Sequence, residues 1–141
     1  IKAQDTNSNQ QQKKQIEISD SELQEFVNIM EDVTSAQRES RKVILDAIKN
    51  SNIEMKRFQK IARANKQGRQ IEMTSKEEQA YVSAMNKIKG AEKKMKEKIN
   101  AILQKHSMER KRYLQIHRAI RDQKDLQKRV EKIITSQKED Q

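Results

Sequence analysis

The side chains of this chain best suited to chemistry are two histidines, His106 and His117, and two clusters of lysine and arginine. Imidazole is a metal ligand and a proton carrier near neutral pH. Glu109 lies between the histidines, so a metal site can be imagined. A metal centre, however, needs three or four ligands at suitable spacing. No Glu-x-x-His or His-x-x-x-His pair occurs, and the chain has no cysteine. A turn residue and a helix-surface residue are the plainer readings of the two histidines. There is no glycine-rich phosphate loop and no serine on a strained strand-to-helix turn. Most carboxylates have lysine or arginine neighbours at helical spacing, which solvated ion pairs explain. The expectation is no enzyme, no cofactor, no metal and no catalytic residue.

The basic clusters are the stronger candidates for a binding surface. Lys56, Arg57, Lys60, Arg63, Lys66 and Arg69 fall within fourteen residues that contain no acid. Arg110, Lys111, Arg112, Arg118 and Arg121 form a second cluster. The net charge is +10 and unevenly spread: residues 17–40 carry seven acids and one base, residues 41–133 carry 26 bases and 11 acids. Two readings are open. The clusters are a solvated helix exterior, with the acidic stretch lying against basic ones. Alternatively they are an anion-binding face for nucleic acid, anionic lipid or acidic polypeptide. Single-strand binders also expose aromatic rings for stacking. Phe58 and Tyr113 fall at core spacing, which weakens that version.

Helices must position these residues. The 141 residues include two glycines and no proline, leaving few sites for hairpin turns. Lys, Glu, Gln, Ala, Ile and Met favour helix. All four aromatic residues fall into two pairs 55 positions apart, Phe26 with Tyr81 and Phe58 with Tyr113. The same offset aligns residues 19–67 with 74–122 without a gap. It superimposes Glu22 on Glu77, Val27 on Val82, Lys56 on Lys111, Arg57 on Arg112 and Arg63 on Arg118. The chain is therefore one structural unit written twice.

Each unit reads as a long helix and a short one. Ser19 with Glu22 has capping-box spacing, and Ile18 can staple onto Leu23 or Phe26. Leu23, Phe26, Val27, Met30, Val33, Ile44, Ala47 and Ile48 form a coiled-coil-like seam broken by Gln37 and Ser40. A turn at Asn50-Ser51-Asn52 precedes a helix over 53–67, and Gly68 stops it. Thr74 with Glu77, or Ser75 with Glu78, caps the third helix, whose seam runs from Tyr81 to Leu103. His106-Ser107 is the second turn. The fourth helix carries Met108, Tyr113, Ile116 and Ile120 inward. Asp122 and Asp125 open a short fifth helix with Leu126, Val130 and Ile133, which has no counterpart in the first unit. The six methionines are mostly core filler. The predicted fold is all-α: an elongated antiparallel helical bundle of two duplicated hairpins plus a short C-terminal helix. Residues 1–17 are expected to be a disordered polar tail, 18–134 a single helical domain and 135–141 a frayed end.

The run Ile18-Ser19-Asp20-Ser21-Glu22-Leu23-Gln24-Glu25-Phe26 resembles the opening of a bacterial family of unknown function, number 4168. Phe58-Gln59-Lys60-Ile61-Ala62 and Tyr113-Leu114-Gln115-Ile116 resemble its recurring signature, and the likeness covers roughly residues 17–134. Members typically carry Gly-Leu at the start of that signature. Asn52-Ile53 and Ser107-Met108 stand there instead, costing each turn its easiest left-handed residue. The resemblance implies a helical domain exported to the periplasm or beyond, and no activity. It also favours reading Ile1–Gln4 as the remnant of a removed signal over an expression boundary.

The function expected is non-enzymatic binding of a protein or other anionic macromolecule at the cell envelope, chaperone-like in one version. The alternative is a basic helical protein that binds nucleic acid. No stretch approaches the roughly 20 apolar residues of a membrane span.

Overall fold

Capping side chains set the starts of the two long helices. The computed structural model of the protein describes residues 16–139. Helix α1 spans Asp20–Asn50, α2 Met55–Lys66, α3 Ser75–Lys105, α4 Arg110–Asp122 and α5 Lys124–Glu139. Among the described residues there is no strand, so the fold is all-α, as predicted. Helices α1 and α3 have the same length and start 55 residues apart. The Ser19 hydroxyl accepts from the Glu22 amide at 3.1 Å, and Thr74 accepts from Glu77 at 3.1 Å. Thr74 is thus the working cap of α3, one of the two candidates its sequence offered.

The turns repeat as well. Asn52 and Ser107, again 55 apart, both take left-handed backbone, with φ of 61° and 54°. The Ser107 turn closes with Met108 N–H donating to Leu103 O at 3.0 Å, which caps the end of α3. Gly68, with φ of 71°, ends α2 in the same way, Arg69 donating to Ala64 O at 2.8 Å. The first turn displaces one predicted boundary. Ile53 N–H is taken by Ser51 Oγ at 3.1 Å and Glu54 is extended, so α2 starts at Met55 rather than 53.

Two compact units arise among the described residues, 33–101 and 16–32 together with 102–139. In the 33–101 unit, Ala47 and Ile48 of α1, Phe58 and Ile61 of α2, and Tyr81, Ala84 and Ile88 of α3 form one buried core. Glu39 of α1 pairs with Lys98 of α3, while Ala47 and Ile48, later on α1, share this core with Tyr81, Ala84 and Ile88, earlier on α3, so these segments are antiparallel. Phe58 of the first copy meets Tyr81 of the second, with centroids 4.9 Å apart.

The other unit buries Leu23, Phe26, Val27 and Ile29 of α1, Leu103 of α3, Tyr113 and Ile116 of α4, and Leu126 and Val130 of α5. Here Tyr113 of the second copy meets Phe26 of the first, also at 4.9 Å. Of these, Phe26, Ile29, Leu103, Tyr113 and Ile116 are the repeat equivalents of Tyr81, Ala84, Ile48, Phe58 and Ile61 in the first core. Each short helix therefore closes on the head of the other copy's long helix. Ile29 and its counterpart Ala84 are both buried, although the predicted seam contains neither.

Helix α5 runs parallel to the start of α1. Arg129 donates to Asp20 Oδ1 at 2.6 Å and to Ile18 O at 3.1 Å; eight residues later, Gln137 donates to Asn28 Oδ1 at 3.0 Å. The last contact anchors the end of α5, which continues to Glu139, past residue 134 where fraying was predicted. Val27, in the stretch of α1 that α5 accompanies, is fully buried, whereas its counterpart Val82, with no fifth helix beside it, is 51% exposed. The rest of the predicted N-terminal tail, residues 1–15, lies outside the described residues, as do 140–141.

Candidate anion-binding faces

The eleven basic residues singled out by sequence divide into two kinds. Arg57 and Arg112, equivalent in the repeat, are taken up by internal clamps. Arg57 Nε and Nη2 donate to the two oxygens of Glu77 at 3.0 and 2.8 Å, and Nη2 also donates to Glu72 O at 2.7 Å. Arg112 grips Glu22 at 2.7 and 2.7 Å and Glu17 O at 2.9 Å. Every atom of the second clamp is the repeat image of the first. Planar guanidinium against carboxylate gives two parallel charge-assisted bonds. These bonds hold Glu77 and Glu22 below the usual carboxylate range, against a smaller opposing effect of burial.

The acidic start of α1 is answered within its own unit. Besides Glu22 with Arg112 and Asp20 with Arg129, Glu25 accepts from His106 Nδ1 at 2.5 Å. Asp32 stands 3.8 Å from the opposite ring nitrogen. The two carboxylates address opposite sides of the imidazole, so they cannot share one ion with it. His117 instead sits on α4 beside the rings of Phe26 and Tyr113, with centroids 6.4 and 6.3 Å away. Glu109 caps the start of α4 without a side-chain bond. Among the described residues no three metal-ligating side chains come together.

The remaining cations lie outside these clamps. Lys56, Lys60, Arg63 and Lys66 are exposed on α2 at steps of four, three and three, which places them along one helix face. Arg69 follows, exposed, just beyond Gly68. Among the described residues none of these five has an acidic partner within 4 Å. The equivalent positions on α4 are Lys111, Gln115, Arg118 and Arg121. Lys111 and Arg118 are exposed, as is Arg110, and Arg121 pairs with its neighbour Asp122 at 3.2 Å in full view of solvent. Each short helix thus turns its aromatic residue inward, its clamp arginine to the side and a basic stripe outward.

Sequence reasoning missed the clamp partners Glu22 and Glu77 and the His106 contacts. A signal for the clamps was present, since arginine and glutamate both persist at the 55-residue offset. Nothing comparable marked His106, whose equivalent is Ser51.

An all-helical duplicated domain with charged outer faces is the class that fold and site define. The chain belongs to the family described as Domain of unknown function (DUF4168), whose model matches residues 19–130. No curated protein and no solved structure is detectably similar to it. No helix among the described residues is long and apolar enough to cross a membrane.

Proposed function

We propose that the protein is a non-enzymatic binding module that engages an acidic polypeptide through the basic stripes of its short helices. The observation that carries this reading is the α2 stripe: Lys56, Lys60, Arg63 and Lys66 share an exposed face without an acid, while Arg57 beside them is neutralised internally. Spatially clustered cations without counter-charges attract anionic partners. The α4 stripe offers a second, related face. The absence of phosphate-loop and nucleophile motifs from the sequence supports a non-catalytic role.

Nucleic acid is the runner-up partner. Single-strand binders stack bases on exposed rings. Phe26, Phe58, Tyr81 and Tyr113 are all buried, so acidic protein segments are the better fit. A holdase, meeting acidic stretches of unfolded chains, is one concrete form. An envelope location is part of the proposal, supported by the resemblance alone; a phosphatase fusion to the full native gene product tests it.

The binding test is fluorescence anisotropy with labelled poly-glutamate and a single-stranded oligonucleotide at low salt. The proposal expects poly-glutamate to bind, the affinity to fall as salt rises, and Lys60→Glu with Arg63→Glu to lose most of it. Preference for the oligonucleotide would transfer the stripes to the runner-up. Binding of neither would leave them as solvated exterior.

A further inference from the structure

The polar break in the α1 seam opens onto a cavity. It lies within the 33–101 unit, between α1 around Ser40 and α3 around Ala91, with a volume of about 180 Å³. Its walls are chiefly apolar, from Ala36, Val43, Ala91 and Met95. Ser40 also lines it, is 7% exposed, and its hydroxyl has no hydrogen-bond partner among the described residues. Serine within a helix ordinarily turns its hydroxyl back to the carbonyl one turn earlier. A buried hydroxyl left without a partner is unfavourable and uncommon.

The repeat shows that these residues are departures from the shared pattern. The position equivalent to Ser40 is Met95, on the opposite wall. The position equivalent to Gly90, which also lines the cavity, is Ser35. Glycine in mid-helix weakens the helix. Gly90 has no packing reason to be there, since a Cβ on it would meet nothing within 4 Å. Gly90 lines the cavity, and the space beside its Cα is open.

The mouth is charged. Lys98 pairs with Glu39 at 2.6 Å, and Lys94 lines the same cavity as a second cation. One positive charge is left over. We propose that this cavity binds a short aliphatic carboxylate, its tail against Val43, Ala91 and Met95, its head accepting from the Ser40 hydroxyl and neutralised by Lys94. A dry cavity of ~150 Å³ holds one benzene, so about six carbons suit this one. The site is independent of the basic stripes.

The test is a titration of the intact protein with hexanoate, followed by amide chemical shifts. Saturable shifts centred on Ser40, Val43, Ala91 and Met95 are expected, with hexylamine producing none. Ser40→Ala should weaken hexanoate about tenfold, the size of one charge-assisted hydrogen bond. Gly90→Leu should abolish binding, with the helical spectrum and melting temperature retained or raised. Absence of saturation, equal binding of hexylamine, or unchanged affinity in Ser40→Ala would each overturn the proposal.

Discussion

Phe26 stacks on Tyr113 at 4.9 Å, and their rings are inclined by only 26°. The two residues come from different copies of the repeat, 87 positions apart. Their counterparts Tyr81 and Phe58 meet at the same distance but are inclined by 47°. An aromatic pair of this kind adds ~0.5–1.5 kcal/mol beyond its area burial. Phe26, 1% exposed, is also the more deeply buried of the two, Tyr113 being 9% exposed. Replacing it with alanine removes both contributions and leaves a cavity.

Phe26→Ala should therefore destabilise the protein by about 3–5 kcal/mol, measured from urea midpoints at constant slope. A cost below about 1 kcal/mol, typical of a surface change, would show that the ring is not packed as described.

The left-handed turn residues make a prediction of opposite sign. Ser107 holds φ of 54° and Asn52 holds 61°. A β-carbon disfavours that region, glycine tolerates it, and asparagine is intermediate. Ser107→Gly should stabilise the protein by about 0.5–1 kcal/mol and Asn52→Gly by less. Gly68→Ala, at φ of 71°, should destabilise by about 1 kcal/mol. Thermal melts of the three variants rank them directly.

The clamps give the protein a pH dependence. Glu22 and Glu77 are held below the ordinary glutamate range by the guanidinium bonds of Arg112 and Arg57. Glu39 is held down likewise by Lys98. Across that window the unfolded chain binds more protons than the folded one, so stability rises with pH there. The stabilisation is complete above the ordinary carboxylate range and is lost as pH falls through the depressed folded values. The pairs are partly exposed, so the effect is modest and weakens with salt. Urea midpoints measured from about pH 7 down to about pH 3 should fall. The double variant Arg57→Gln, Arg112→Gln should fall less steeply, and an unchanged slope would remove the clamps from the account.

Much of the fold was legible because helix signals are local. Capping at Ser19 and Thr74, the stop at Gly68 and the two turn positions all follow from residue type and spacing. The pairing of helices was less so. A gapless repeat shows that two copies are equivalent, but each short helix has equivalent apolar faces to meet in its own copy and in the other. Ile29 and Ala84 escaped for a related reason: a two-position seam omits the third buried row that a helix needs when neighbours flank it on more than one side. At the candidate site, residue type located the cations. It could not separate Arg57 and Arg112, which are clamped, from Lys60 and Arg63, which point outward, because that division depends on acids 20 and 90 residues away from the arginines.

Exchange of short helices between copies is the claim most exposed to test, and the chain's four aromatic residues allow it to be read directly. Ring-to-ring nuclear Overhauser effects should link Phe26 with Tyr113 and Phe58 with Tyr81. Cross-peaks joining Phe26 to Phe58 and Tyr81 to Tyr113, as hairpins closed within their own copies would give, would contradict it.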